Sequence, residues 1–358
     1  MPTLFDPLRL GALELPNRII MAPLTRCRAT PDTRVPTPIM ADYYRQRASA
    51  GLILSEATSV DPMGVGYPST PGIWSEEQTE GWAAVTRTVH EAGGRIFLQL
   101  WHVGRISDPV YLSGDLPVAP SPIRPAGHVS LLRPQKDYET PRALRSEEIS
   151  LVVAAYRKGA ANAKLAGFDG VEVHGANGYL LDQFLQDRTN QRRDKYGGSL
   201  ENRARLMLEV VDAILEVWEP GRVGMHLAPR ADAHDMGDSN RFATFTYVGR
   251  ELGKRKIAFL CARESRQADS IGPVIKDAFC GPYIVNEGFE FEGAQKALSD
   301  GFGDAVAFGK LYISNPDLPE RFAHDGPVNA WDLKTFYGGG VHGYLDYPAL
   351  YPGSSTTS

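Results

Sequence analysis

Cysteine is scarce in this chain of 358 residues: Cys27, Cys261 and Cys280 are widely spaced, and no Cys-x-x-Cys pair occurs. A disulfide framework and a structural zinc site are thereby excluded, and all three thiols are expected to be reduced packing residues. Long apolar runs are also missing. The longest are strand-sized, so no membrane span is expected, and the opening Met-Pro-Thr-Leu-Phe-Asp has neither the basic nor the apolar region of a secretory signal, which points to the cytoplasm. Positive charge is not in excess. A net charge of −5 offers no field to attract nucleic acid or an anionic membrane surface. No internal repeat, low-complexity block or linker divides the chain, so a single domain over residues 1–358 is expected.

What is present is an ordinary globular composition, 42% hydrophobic and 23% charged, in a chain long enough for one large α/β barrel. Short runs rich in Val, Ile and Leu alternate with longer amphipathic stretches. The runs are Arg18 to Thr25, Gly51 to Thr58, Arg95 to His102, Gly170 to Gly175, Arg222 to Pro229, Ile257 to Glu264, Pro282 to Glu287 and Asp304 to Gly309. Eight such units predict an all-parallel sheet closed on itself, a single (β/α)8 TIM barrel. Helix starts are marked by Thr37 before Pro38, by Ser75 with Gln78, and by Ser146 followed by Glu147 and Glu148. Leu4 to Asn17 reads as a hairpin closing the barrel floor. The connection from 103 to 145 after the third strand is far longer than a usual β-to-α loop and holds seven prolines, which predicts an excursion acting as a lid. Its Val110-Tyr-Leu and Val129-Ser-Leu-Leu pieces are expected to pair as a small hairpin.

Chemistry in such a barrel sits at the carboxyl ends of the strands. The fourth run leads into His174-Gly-Ala-Asn177-Gly-Tyr179, placing an imidazole, a carboxamide and a phenol within six residues. Two neutral donors and a weak acid suit the holding of an oxygen that gains charge while a neighbouring carbon is protonated. A Gly309-Lys310 step after the eighth run, with Glu287-Gly288 after the seventh, marks the place where barrels commonly bind phosphate. Thr25, Ala57 and Gln99, across from it, suit the heteroatom edge of a flat heterocycle. The strand ends together predict a phosphorylated, ring-shaped cofactor across the barrel mouth.

Met21-Ala-Pro-Leu-Thr-Arg26, Tyr43 to Gly51, Gln99-Leu-Trp-His102, His174 to Leu180, Tyr196-Gly-Gly-Ser-Leu-Glu-Asn-Arg203 and Phe336-Tyr-Gly-Gly-Gly are together similar to the old yellow enzyme family. Within it the chain resembles bacterial xenobiotic reductases and N-ethylmaleimide reductases, over nearly its whole length. The resemblance implies a barrel that binds FMN, is reduced by NADPH or NADH, and reduces activated C=C bonds of enones, maleimides and quinones in ping-pong fashion. Nitrate esters and nitroaromatics are further implied substrates, small electrophiles are the implied partners, and a monomer or homodimer is expected. By position, Thr25 and Gln99 correspond to flavin contacts, with Pro23 and Ala57 supporting the ring. His174 and Asn177 correspond to the pair that grips the substrate carbonyl, and Tyr179 to the proton donor. Tyr67, Trp101 and Tyr337 would line the pocket. His226 stands where many relatives place an Arg against the flavin, which implies a lower or pH-dependent potential. Arg230 is a candidate to compensate. Lys310 keeps the charge of an Arg often found at the phosphate but loses its fork. Glu287 replaces a common Gly, so only its backbone is carried over as cofactor-binding, beside Gly288 and Gly309.

A second class of function uses the same strand ends differently. His102, His174 and His226 end consecutive strands three to five, as in a metal-dependent barrel hydrolase. Against it, strand one offers no His-x-His and Asp304 opens strand eight instead of ending it; no metal is expected.

Overall fold

The computed structural model describes residues 1–230 and 233–351. Eight short parallel strands form the barrel: β1 Ile19–Met21, β2 Leu52–Leu54, β3 Ile96–Trp101, β4 Gly170–Gly175, β5 Val223–Leu227, β6 Phe259–Arg263, β7 Tyr283–Asn286 and β8 Ala305–Phe308. Each pairs with the next in parallel, and β8 pairs with β1 to close the ring. Buried on both faces, the strands are largely apolar on both where a one-sided sheet would alternate, and the polar exceptions cluster toward the carboxyl ends of β3 to β7. Apart from β4, the strands are shorter than the runs that announced them, chiefly because their last residues leave the ladder to form the mouth. Pro23, without an N–H to donate, begins that departure on the first.

Inside the barrel the lower layer is apolar. Ile20, Leu52, Leu54, Phe97, Phe259 and Ile284 pack there with Leu10 and Leu15 of the amino-terminal hairpin. That hairpin, Leu8–Leu10 against Leu13–Leu15, therefore plugs the amino-terminal end, as its pattern predicted. Two glycines make room for the layer's rings: a Cβ at Gly224 would lie 2.2 Å from the Phe259 ring, and one at Gly170 would lie 2.3 Å from Phe97. Above this layer the inward positions turn polar, with Gln99, Glu172, His174 and His226 all nearly fully buried. Polar groups at that depth need partners, and they mark the layer that meets the cavity.

Between strands and outer helices lies the larger core. The second helix, Glu76–Glu91, starts on the predicted capping box: Gln78 N–H donates to Ser75 Oγ at 3.3 Å, and Ser75 N–H donates to Gln78 Oε1 at 3.1 Å. The third, Ser146–Leu165, carries Glu147 and Glu148 in its first turn. No helix among the described residues is long and apolar enough to cross a membrane.

The excursion departs from expectation. Val110 lies in a 3-10 turn, Pro109–Tyr111, capped when its N–H donates to Asp108 Oδ1 at 3.0 Å, and it is exposed. The pairing that forms is parallel, Val118–Ala119 with Arg142–Ala143, and the Val129 segment makes one antiparallel bridge, His128 with Asp137. Prolines deny the ladder its donors, and the Asp108 cap commits Val110 to a turn. Val129 and Tyr138 instead pack on Tyr67, Trp101 and Ala57, so the excursion buttresses one wall of the mouth.

A second buttress comes from the chain's far end. Tyr344 stacks on Tyr43 with ring centres 4.2 Å apart and planes 3° from parallel. Buried Arg26 donates to the carbonyls of Phe336 and Gly343, each at 2.9 Å, while Arg28 lies over the Tyr344 ring at 4.2 Å. A guanidinium has donors only, so carbonyl acceptors and aromatic faces are what make its burial tolerable. This clasp fixes Phe336 and Tyr337 at the cavity rim.

Candidate active site

The carboxyl ends of the strands surround a cavity of about 640 Å³, large enough for a cofactor and a small substrate. Its lining includes Pro23, Thr25, Ala57, Gln99, Trp101, His174, Asn177, Tyr179, His226, Glu287, Gly288, Gly309, Lys310 and Tyr337, all but one of the residues that the family resemblance assigns to catalysis, cofactor contact or the pocket wall. The exception is Tyr67. It stands one layer back, stacked on Trp101 with centres 5.5 Å apart, and its hydroxyl meets that of Tyr179 at 2.9 Å.

At one wall His174, Asn177 and Tyr179 converge. The backbone turns sharply after β4, with Asn177 in the left-handed region at φ 58° and Gly178 at φ 76°, so the Asn177 and Tyr179 side chains swing back over the mouth. Asn177 is held there because its carbonyl accepts from His234 Nδ1 at 2.7 Å. The Tyr179 ring meets His174 edge-on at 5.1 Å and Trp101 at 5.0 Å. Burial, reinforced by His226 and Arg263, holds the His174 pKa well below the usual imidazole range, so the ring is neutral. The Ala176 N–H donates to His174 Nδ1 at 3.4 Å, which leaves the ring proton on Nε2. Burial likewise raises the Tyr179 phenol above its ordinary value, partly offset by the bond from Tyr67. The arrangement is neutral donors beside a phenol that keeps its proton at physiological pH.

On the floor, Gln99 Nε2 donates to Glu172 Oε2 at 2.7 Å, which turns the amide oxygen of Gln99 out as an acceptor. His226 Nδ1 lies 3.5 Å from Glu172 Oε1, and both His226 nitrogens are buried without a hydrogen-bond partner among the described residues. Buried polar atoms of that kind call for a ligand with complementary heteroatoms. Across the mouth, Gly309 and Lys310 follow β8 directly, and the Lys310 ammonium sits 5.1 Å from the Trp331 ring centre. Glu287 has a positive φ of 97°, a strain on the order of 1–3 kcal/mol for a residue with a Cβ. Its carboxylate is paired with Arg263 at 2.9 Å.

Arg263 itself went unnoticed in the sequence, yet its guanidinium lines the cavity and also donates to Asn177 Oδ1 at 2.9 Å. Alternation held the clue: Arg263 shares its face with inward-pointing Phe259 and Cys261. Arg230, the candidate to compensate for His226, does not line the cavity; it is held by Asp269 through contacts of 2.9 and 2.7 Å. The metal-hydrolase grouping is not assembled either. His102 follows Trp101 on the opposite face of the strand, where its Nδ1 accepts from Gly104 N–H at 3.1 Å, away from the cavity lined by His174 and His226. Among the described residues the three potential ligands that do approach within 4.8 Å of one another are Glu172, His226 and Cys261.

Residues 3–329 match the profile of the NADH:flavin oxidoreductase / NADH oxidase family. The chain is 42% identical over 363 residues to 12-oxophytodienoate reductase 1 of Oryza sativa subsp. japonica, covering 97% of this chain and 93% of the relative. It is 40% identical over 364 residues to 12-oxophytodienoate reductase 2 of Arabidopsis thaliana, covering 97% and 96%. Among solved structures, the old yellow enzyme homologue from Zymomonas mobilis superposes with a TM-score of 0.94 at 45% identity, over 97% of this chain and 99% of that one. Morphinone reductase in complex with tetrahydroNAD superposes with a TM-score of 0.95 at 48% identity, over 99% of both chains.

Proposed function

Because this chain is a member of the NADH:flavin oxidoreductase / NADH oxidase family, of old yellow enzyme type, we propose that it is an FMN-dependent ene-reductase driven by NADPH or NADH. The carrying observation is the convergence of the neutral His174 ring, the Asn177 carboxamide and the Tyr179 phenol over one cavity. The donor set around that cavity fits FMN. Gln99 Oε1 and the Thr25 hydroxyl offer groups to the ring's heteroatoms, and the unpartnered His226 nitrogens face the same floor. Gly288, Gly309 and Lys310 would hold the phosphate, with the Glu287 side chain drawn away by Arg263. When bound, FMN supplies a carrier that takes hydride from the nicotinamide and gives it to the β-carbon of an activated alkene.

The chain's own residues do the rest. His174 Nε2–H and the Asn177 amide donate to the substrate's carbonyl oxygen, where charge accumulates as the β-carbon is reduced. Tyr179 then protonates the α-carbon, and the Tyr67 hydroxyl donates to the phenolate left behind. Trp101 and Tyr337 wall the pocket and exclude water. The nicotinamide carboxamide uses the same oxygen grip, so the two substrates compete and turnover is ping-pong. Enones, maleimides and quinones are the proposed acceptors, with nitrate esters and nitroaromatics as further candidates in keeping with the resemblance to xenobiotic reductases.

Denaturing the purified protein should release a yellow chromophore in stoichiometric amount, and the native protein should bleach anaerobically with NADPH or NADH. A colourless protein that takes up no FMN on reconstitution overturns the reading. Removing the cation at the proposed phosphate position by Lys310→Met should raise the FMN dissociation constant by about 10- to 100-fold, the worth of one charge-assisted hydrogen bond, measured by fluorescence titration of apoprotein. An unchanged constant would place the phosphate elsewhere.

A further inference from the structure

We infer that Arg263, seated on Glu287, is a positioning residue that fixes the orientation of the Asn177 carboxamide and so makes it a donor to the substrate. A carboxamide is nearly symmetric in shape but not in chemistry: one end donates twice, the other only accepts. Turned the wrong way, Asn177 would present its oxygen to the substrate's oxygen and repel it. Nothing in the size of the group prevents that. Arg263 does, because a guanidinium has donors only, and its Nη1 already donates to Asn177 Oδ1 at 2.9 Å. The amide nitrogen is then left for the cavity that Asn177 lines.

Two independent features say that this contact is built into the site. Arg263 is itself steered, because its Nη2 donates to Glu287 Oε1 at 2.9 Å. Glu287 in turn holds a φ of 97°, a conformation that glycine adopts freely and a residue with a Cβ does not. A strained glutamate is accounted for if its carboxylate is what aims the arginine. The order of command runs from the loop after β7, through the end of β6, to the turn after β4.

The inference rests on the ene-reductase reading for its consequence in turnover but not for the geometry, and the test separates the two. Arg263→Met keeps an unbranched stem in place of the aliphatic part of the side chain and removes every donor. With 2-cyclohexenone as probe, kcat/KM should fall about tenfold, a fraction of the loss from deleting a donor outright, and affinity for a simple phenol should fall in step. Asn177→His supplies a donor whose ring can present its N–H without help. In that background Arg263→Met should change kcat/KM by less than about twofold. Equal losses in both backgrounds would show that Arg263 acts elsewhere and overturn the proposal. Glu287→Gly should weaken phenol binding several-fold while holding or raising the thermal midpoint, since backbone strain is relieved. An ion pair that only stabilised the fold would lower the midpoint and leave phenol binding alone. Independently of any turnover, the side-chain NH2 resonances of Asn177, selectively ¹⁵N-labelled, should form one sharp pair in the unsubstituted protein and broaden or double in Arg263→Met. An identical spectrum in the two proteins overturns the coupling, whereas absent enone turnover in the unsubstituted protein counts against the functional reading alone.

Discussion

Tyr179→Phe should slow reduction of an enone by about 10²- to 10⁴-fold, the usual range for removing a general acid, while flavin reduction by NADPH or NADH changes little. Stopped-flow measurement of the two half-reactions checks this. The asymmetry follows from the chemistry of each step. Hydride delivery from the nicotinamide needs no proton from the protein, whereas the alkene must receive one at its α-carbon. Tyr179 is placed for that, edge-on to His174 and capped by the Tyr67 hydroxyl at 2.9 Å. A phenol whose pKa is raised by burial remains protonated until the strongly basic carbon appears, and Tyr67 then shares the charge. Equal slowing of both half-reactions would remove Tyr179 from the role of proton donor.

Replacing His174 and Asn177 together by Ala should cost on the order of 10⁴-fold in kcat/KM for an enone, about 5 kcal/mol, since each donor to a developing oxyanion is worth about 10²- to 10³-fold and the two share one oxygen. Binding of a simple phenol should weaken in parallel, while FMN stays bound through gel filtration. The separation is expected because the pair lines the upper wall, whereas of the proposed cofactor-side groups Gln99 and His226 lie on other strands and Lys310 opens the short helix after β8. Loss of FMN from the double variant would make both residues structural.

The barrel could be read from the sequence because a parallel strand buried on both faces leaves a continuous apolar mark, and eight such marks leave few alternatives. Site residues at strand ends were legible for the same reason: the fold decides where the end of a run points. His174, Asn177 and Tyr179 sit within one turn, so their convergence needed no long-range knowledge. Arg263 was hidden because its value lies in contacts with residues 86 and 24 positions away, which no local pattern records. Glu172 was hidden differently, since a carboxylate between two valines resembles an interruption until Gln99 is seen to donate to it. The excursion was misread at Val110, where an Asp-Pro turn overrode strand propensity. Tyr67 was placed in the right neighbourhood but one layer too near, because sequence gives direction and not depth.

The clasp of Arg26, Tyr43 and Tyr344 has a consequence for the order in which the molecule is made. All eight strands are complete by Phe308, yet Phe336 and Tyr337 reach the rim only when Gly343 and Tyr344 have docked on Arg26 and Tyr43. A growing polypeptide can therefore close its sheet while still attached to the ribosome and hold an unfinished binding site. Until Gly343 and Tyr344 have docked, the cavity lacks the rim that Phe336 and Tyr337 supply, so this late segment acts as its latch.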